Sequence, residues 1–116
     1  MDLRDEMPLQ FKYINLAKQK IVFWAENNDV KLDKIEFVVP FTVGNKSLIV
    51  WLFYLDNETL KKYKIDETYH KTKEVFFNIL KELGYPKDYL DEVKFEVDST
   101  ENVKTNFEGK YFNRLR

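Results

Sequence analysis

Leu48-Ile49-Val50-Trp51-Leu52-Phe53-Tyr54-Leu55 is a run of large apolar and aromatic residues that no charge or amide interrupts. Its length suits a strand better than a helix, and its β-branched and aromatic content points the same way. A strand with one wet face alternates apolar and polar residues. An unbroken run requires cover on both faces, so this stretch is expected in mid-sheet. Leu48, Val50, Leu52 and Tyr54 form one face, and Ile49, Trp51, Phe53 and Leu55 the other. One face can lie under helices. The other needs a separate cover, which is the C-terminal segment, a second copy of the chain, or another protein.

Upstream, Ile35, Phe37, Val39, Phe41 and Val43 alternate with other residues at the period of a strand. Pro40 cannot donate to a ladder, which places that strand at a sheet edge or bulges it there. Gly44-Asn45 has the composition of a two-residue hairpin turn. That loop would pair Phe41 with Leu48, Val39 with Val50 and Phe37 with Leu52. Further upstream, Ile14, Ala17, Ile21 and Trp24, widened by Leu9, Tyr13 and Leu16, mark a helix from about Pro8 to Asn28.

Downstream, Asp56-Asn57-Glu58-Thr59 starts a short helix that runs through Tyr63. Asp66 caps a long one over about Glu67 to Leu83, with Tyr69, Phe76, Ile79, Leu80 and Leu83 as its stripe. Gly84 stops it and Pro86 follows. Val93, Phe95 and Val97 alternate in a third strand. Asp98 and Glu101 have capping-box spacing for a short helix to about Asn106, which Gly109 ends. Lys110 to Arg116 forms an edge strand or a docked tail. The sum is one α+β domain over residues 1–116 in the order α-β-β-α-β. Its sheet is three- or four-stranded and mainly antiparallel, with two long helices packed on one face.

The balance of 19 basic and 20 acidic residues gives no basic excess of the kind that marks nucleic-acid or membrane binding. With no cysteine, disulfides, thiol chemistry and Cys-ligated metals are excluded, and a reducing cytoplasm is the expected compartment. The charged Met1-Asp2-Leu3-Arg4-Asp5-Glu6 start is not a signal peptide. No apolar run approaches the roughly 18 residues of a membrane span. Ten Phe, seven Tyr and two Trp exceed what one small core needs, although an AT-rich coding sequence would yield the same bias.

No catalytic site is read from the residues. His70 is the single histidine and sits among Lys71 and Lys73 as an exposed helical residue. Asp91, Glu92, Glu96 and Asp98 crowd the third strand. Glu92, Glu96 and Asp98 share a face by parity, which gives a solvated surface, an acidic contact strip for a basic partner, or a hard-cation site supporting metal-assisted chemistry. Lys61, Lys62, Lys64, Lys71 and Lys73 form a basic cluster, and the alternative function is a small nucleic-acid-binding or regulatory domain using that Lys61–Lys73 cluster. No phosphate-cradling loop, nucleophile elbow or metal-ligand helix is present, so no cofactor or metal is expected.

The tail carries Ser99-Thr100-Glu101-Asn102-Val103 and then Phe107-Glu108-Gly109-Lys110-Tyr111-Phe112-Asn113-Arg114-Leu115-Arg116. It resembles the ending of small bacterial immunity proteins, the antidotes encoded beside toxins of contact-dependent growth inhibition. That grouping joins many folds, so the resemblance implies a role and no particular residue. The role is stoichiometric binding of a toxin C-terminal domain in the cytoplasm, often masking its active site. Aromatic residues and Arg are the usual anchors of protein interfaces. The expectation is therefore a non-enzymatic protein-binding module that neutralises a cognate toxin, a nuclease being one candidate. Its expected contacts are Glu92, Glu96 and Asp98, together with Tyr111, Phe112, Arg114 and Arg116. A homodimer that buries the spare sheet face is compatible with this reading.

Overall fold

The structure is a computed structural model that describes residues 10–39 and 47–115. The order is α1 (Gln10–Asn27), β1 (Leu32–Val38), β2 (Leu48–Tyr54), α2 (Asn57–Ile65), α3 (Thr68–Leu83), α4 (Lys87–Leu90), β3 (Val93–Ser99), α5 (Thr100–Asn106) and α6 (Tyr111–Arg114). This is an α+β fold around a three-stranded sheet in the order β1-β2-β3, with β2 in the centre as its unbroken apolar run requires. The short helices α2, α4, α5 and α6 interrupt the simple α-β-β-α-β order.

The sheet is mixed and not mainly antiparallel. β1 runs antiparallel to β2, and β3 runs parallel to it. The physical reason is the connection. A parallel return needs a crossover of a dozen residues or more, and α2, α3 and α4 supply one between Tyr54 and Val93. The expected register is also corrected. Phe37 pairs with Val50 and Ile35 with Leu52, two residues away from the hairpin expectation. A slip of two keeps every side chain on its own face, so alternation alone cannot detect it. The proposed Gly44-Asn45 turn, Phe41, Val43, Pro40 and the Pro8 start all lie outside the described residues.

Two cores lie on the two faces of β2. On one, Leu48, Val50 and Leu52 pack with Ile35, with Ile14, Ala17 and Ile21 of α1, and with Phe76, Ile79 and Leu80 of α3. Phe76 bridges β1 and β3, its ring 6.0 Å from both Phe37 and Phe95. On the other, Trp51 and Phe53 pack with Val103 of α5, and Phe107, Tyr111 and Leu115 close over them. Of the three covers weighed for that face, the C-terminal segment is the one that lies there.

Local chemistry sets the element ends. Asp56 caps α2 by accepting from Thr59 N at 2.7 Å. Gly84 takes the left-handed conformation that stops α3, with φ 89°. At α5 the cap is Ser99 and not Asp98. Ser99 Oγ accepts from Asn102 N at 3.0 Å, which leaves the Asp98 carboxylate for other partners. β1 carries a bulge between Leu32 and Lys34. Those two residues would otherwise share a face. The extra residue, Asp33, turns Leu32 toward the helical core and Lys34 toward the C-terminal cover.

Candidate protein-interaction surface

The C-terminal cover decides what most of the expected contact residues do. Asp98, the last charged residue of β3, is only 6 % exposed. Its carboxylate accepts from Arg114 Nε, from Asn102 Nδ2 at 2.8 Å and from Ser99 N at 2.8 Å. The Arg114 guanidinium lies 4.4 Å over the Trp51 ring and 5.4 Å from the Phe107 ring. Planar stacking on one aromatic with a carboxylate at the edge is the environment that Arg fills and Lys does not. Tyr111 stands edge-on to Phe53 at 4.8 Å, with Lys34 Nζ 4.0 Å over its other side. The Tyr111 hydroxyl lies 3.0 Å from Thr100 Oγ1, which donates to Asp33 at 2.6 Å.

Asp98, Tyr111 and Arg114 are thus brought together, but as the fastening of α6 onto the sheet. Glu92 and Glu96 are exposed, so the three acids do not form one open strip. Phe112 points outward at 70 % exposure. Arg116 lies outside the described residues. The Lys cluster spreads over α2 and α3, with Lys73 Nζ 4.6 Å over the Tyr69 ring. His70 is exposed, and among the described residues no group of three or more potential ligands could hold a metal ion.

The surface that sequence reading missed is the outer side of α1. Ile14, Ala17, Ile21 and Ala25 are the buried positions. At about 100° per residue, Phe23 and Leu16 lie about 180° around the helix from Ile14. Phe23 is 68 % exposed and Leu16 45 % exposed, with Val22 also at the surface. Phe23 forms a crest between two shallow grooves. One, of about 470 Å³, runs between α1 and α3 and is lined by Trp24, Val75, Ile79 and the stems of Lys20 and Glu82. The other, of about 750 Å³, is lined by Asn15, Lys18, Val22 and Glu26. Lys12 and Lys20 flank the crest by helical position, and Glu26 and Glu82 are acids of this side. The signal was present in the sequence. Leu16 and Phe23 are seven residues apart, one face of a helix, and Leu16 belongs to that face and not to the buried stripe.

A third concavity, of about 620 Å³, opens at the carboxyl ends of β2 and β3. Asp33, Asp56, Glu58 and Glu101 line it, with Lys104 as a counter-charge. Hydrogen bonds to Thr59 hold the Asp56 carboxyl below the usual carboxylate range. These acids cap and tie local structure: Asp56 holds α2, Asp33 holds Thr100, and Glu101 accepts from Asn57 N at 2.9 Å.

No family model matches this chain, and no curated protein or solved structure is detectably similar to it. Among the described residues, no helix is long and apolar enough to cross a membrane.

Proposed function

We propose that this chain is a non-enzymatic protein-binding module whose outer α1 face is its main contact surface. Its role is that of a bacterial immunity protein, acting in the cytoplasm by binding a cognate toxin C-terminal domain and blocking it. The observation that carries the binding role is Phe23, two-thirds exposed on a helix line it shares with Leu16 and above a groove that Trp24 lines. A large aromatic held on a rigid helix loses little entropy on contact and can bury fully in a partner's pocket. Apolar groups that line up in this way mark a contact surface more than scattered ones do. Lys12 and Lys20 beside the crest favour a partner whose apolar pocket has an acidic rim. The resemblance of the Ser99–Arg116 tail to immunity proteins supports the specific role. Phe112, on α6, is a further exposed aromatic for the same task.

The test is co-expression with the product of the adjacent upstream gene. The expected result is a stoichiometric complex and protection from killing. Phe23→Ala should weaken the complex by roughly 30-fold or more, the size of an interface hot spot. Its melting temperature should stay close to that of the parent, because Phe23 is no part of the core. No complex and no protection would overturn the role. A complex indifferent to Phe23→Ala and to Leu16→Asp would move the contact surface elsewhere.

A further inference from the structure

The two edges of the sheet are protected differently. β1 is bent by the bulge at Asp33, and its Lys34 and Glu36 form an ion pair with each other at 3.0 Å. Bulges and satisfied charges are the usual guards of an edge. β3 has neither. It pairs in unbroken register with β2 from Val93 to Ser99, and no described strand lies on its outer side.

The backbone direction of β3 follows from one hydrogen bond. Leu48 N donates to Glu92 O at 3.2 Å. In the parallel ladder that pairs Leu48 with Val93, this turns the peptide groups of Lys94 and Glu96 toward β2. The N–H and C=O groups of Val93, Phe95 and Val97 therefore point outward. Their side chains are half-buried on the helix side of the sheet, whereas Lys94 and Glu96 are exposed on the other.

We propose that β3 pairs antiparallel with β3 of a second copy of this chain, about a two-fold axis at Phe95. The result is one continuous sheet with three strands from each copy. The occupant is specified by charge. This axis sets Phe95 against Phe95 of the second copy and Val93 against Val97, all with outward peptide groups that bond in pairs. It sets Lys94 opposite Glu96 of the second copy, twice by symmetry, in the closely spaced pairs of an antiparallel ladder. Moving the axis by one residue would oppose Lys94 to Lys94, or Glu96 to Glu96. The strand is complementary to its own reverse about Phe95, and the two neighbouring axes are discouraged. A recess of about 310 Å³ beside the edge, lined by Phe77, Phe95, His70, Lys73 and Glu74, gives room for the apolar side chains of the second copy. The pairing is isologous and closed, so it ends at two copies. It goes beyond the proposed toxin binding and leaves both α1 crests free on the far sides of the α3 helices.

The experiment is sedimentation equilibrium on the full chain, with Lys94→Glu, Glu96→Lys and the double variant K94E/E96K. The parent should sediment as a dimer. Each single variant places like charges opposite each other at both symmetric positions and should raise the dimer dissociation constant by roughly tenfold or more. The double variant restores opposite charges and should return to the parent value. A parent that stays monomeric at its highest soluble concentration overturns the pairing. So does a dimer unaffected by the single variants, or single-variant losses that the double variant fails to rescue. The readout is mass, so failure here leaves the toxin-binding test untouched. Circular dichroism confirms that each variant is folded.

Discussion

Arg114 shows how one side chain can be read from sequence as an anchor and used by the fold as a fastener. Its guanidinium joins the Asp98 carboxylate to the Trp51 face. Arg114→Met keeps the stem against Trp51 but withdraws one donor from a nearly buried carboxylate. Such a loss costs about 1–3 kcal/mol, lowered here by the two donors that remain. Urea unfolding should show that loss, and tryptophan emission should shift to the red as Trp51 gains water. Arg114→Lys should recover only part, because an ammonium cannot stack and bridge at once. The arginine was visible in the sequence. Its partner was not, since Asp98 and Arg114 stand sixteen positions apart and are brought together by a turn through Glu108 and Gly109, both with positive φ.

Tyr54 is the second residue with a measurable consequence. Burial pushes its phenol well above the usual tyrosine range, in spite of its hydrogen bond to Thr72 Oγ1 at 2.9 Å. Burial raises Tyr85 in the same direction. A folded-state value above the unfolded one means that stability is complete below about pH 10 and is lost as pH rises beyond it. Unfolding followed from pH 8 to 11 should therefore show a steep alkaline loss. Tyr54→Phe should make that loss shallower, at the expense of one hydrogen bond, about 0.5–1.5 kcal/mol at neutral pH.

At the scale of elements, α5 depends on a cap that alternation and propensity misassign by one residue. The spacing of Asp98 and Glu101 satisfies the capping-box pattern, but Ser99 is the residue that accepts from Asn102 N. Ser99 also donates to Asn57 and so ties α5 to the start of α2. Ser99→Ala should cost about 1 kcal/mol for the cap alone. Calorimetry should show that loss as a lower melting temperature. The helices α1 and α3, the strands and the Gly84 stop were legible because each rests on a period or a turn residue that acts locally. Strand register, the bulge at Asp33 and the parallel return of β3 were not, because they are fixed by packing between distant segments. The outer line of α1 was legible and was misread: a stripe that widens to Leu16 no longer fits one side of a helix.

At the scale of the whole molecule, the sheet is filled from both sides by the same chain. The sequence demanded cover for Trp51 and Phe53 and named three candidates, and the choice among them needed three dimensions. Deleting residues 107–116 removes Phe107, Tyr111 and Arg114 from that face. The shortened chain should bind the dye ANS, lose its sharp melting transition and self-associate, as measured by fluorescence and light scattering. The helical side, with Leu48, Val50 and Leu52 under Ile14, Ile21 and Phe76, should keep most of its far-ultraviolet dichroism.

The parallel pairing of β2 with β3 has a bearing on how the protein is born. Translation delivers β2 long before β3 and the segment that shields Trp51, so the emerging chain carries its greasiest strand without a neighbour on that flank. The finished sheet cannot assemble until β3 and the helices after it have been made. A ribosome that stops before Val103, Phe107 and Tyr111 releases a polypeptide with Trp51 and Phe53 bare, fit for chaperones or proteases.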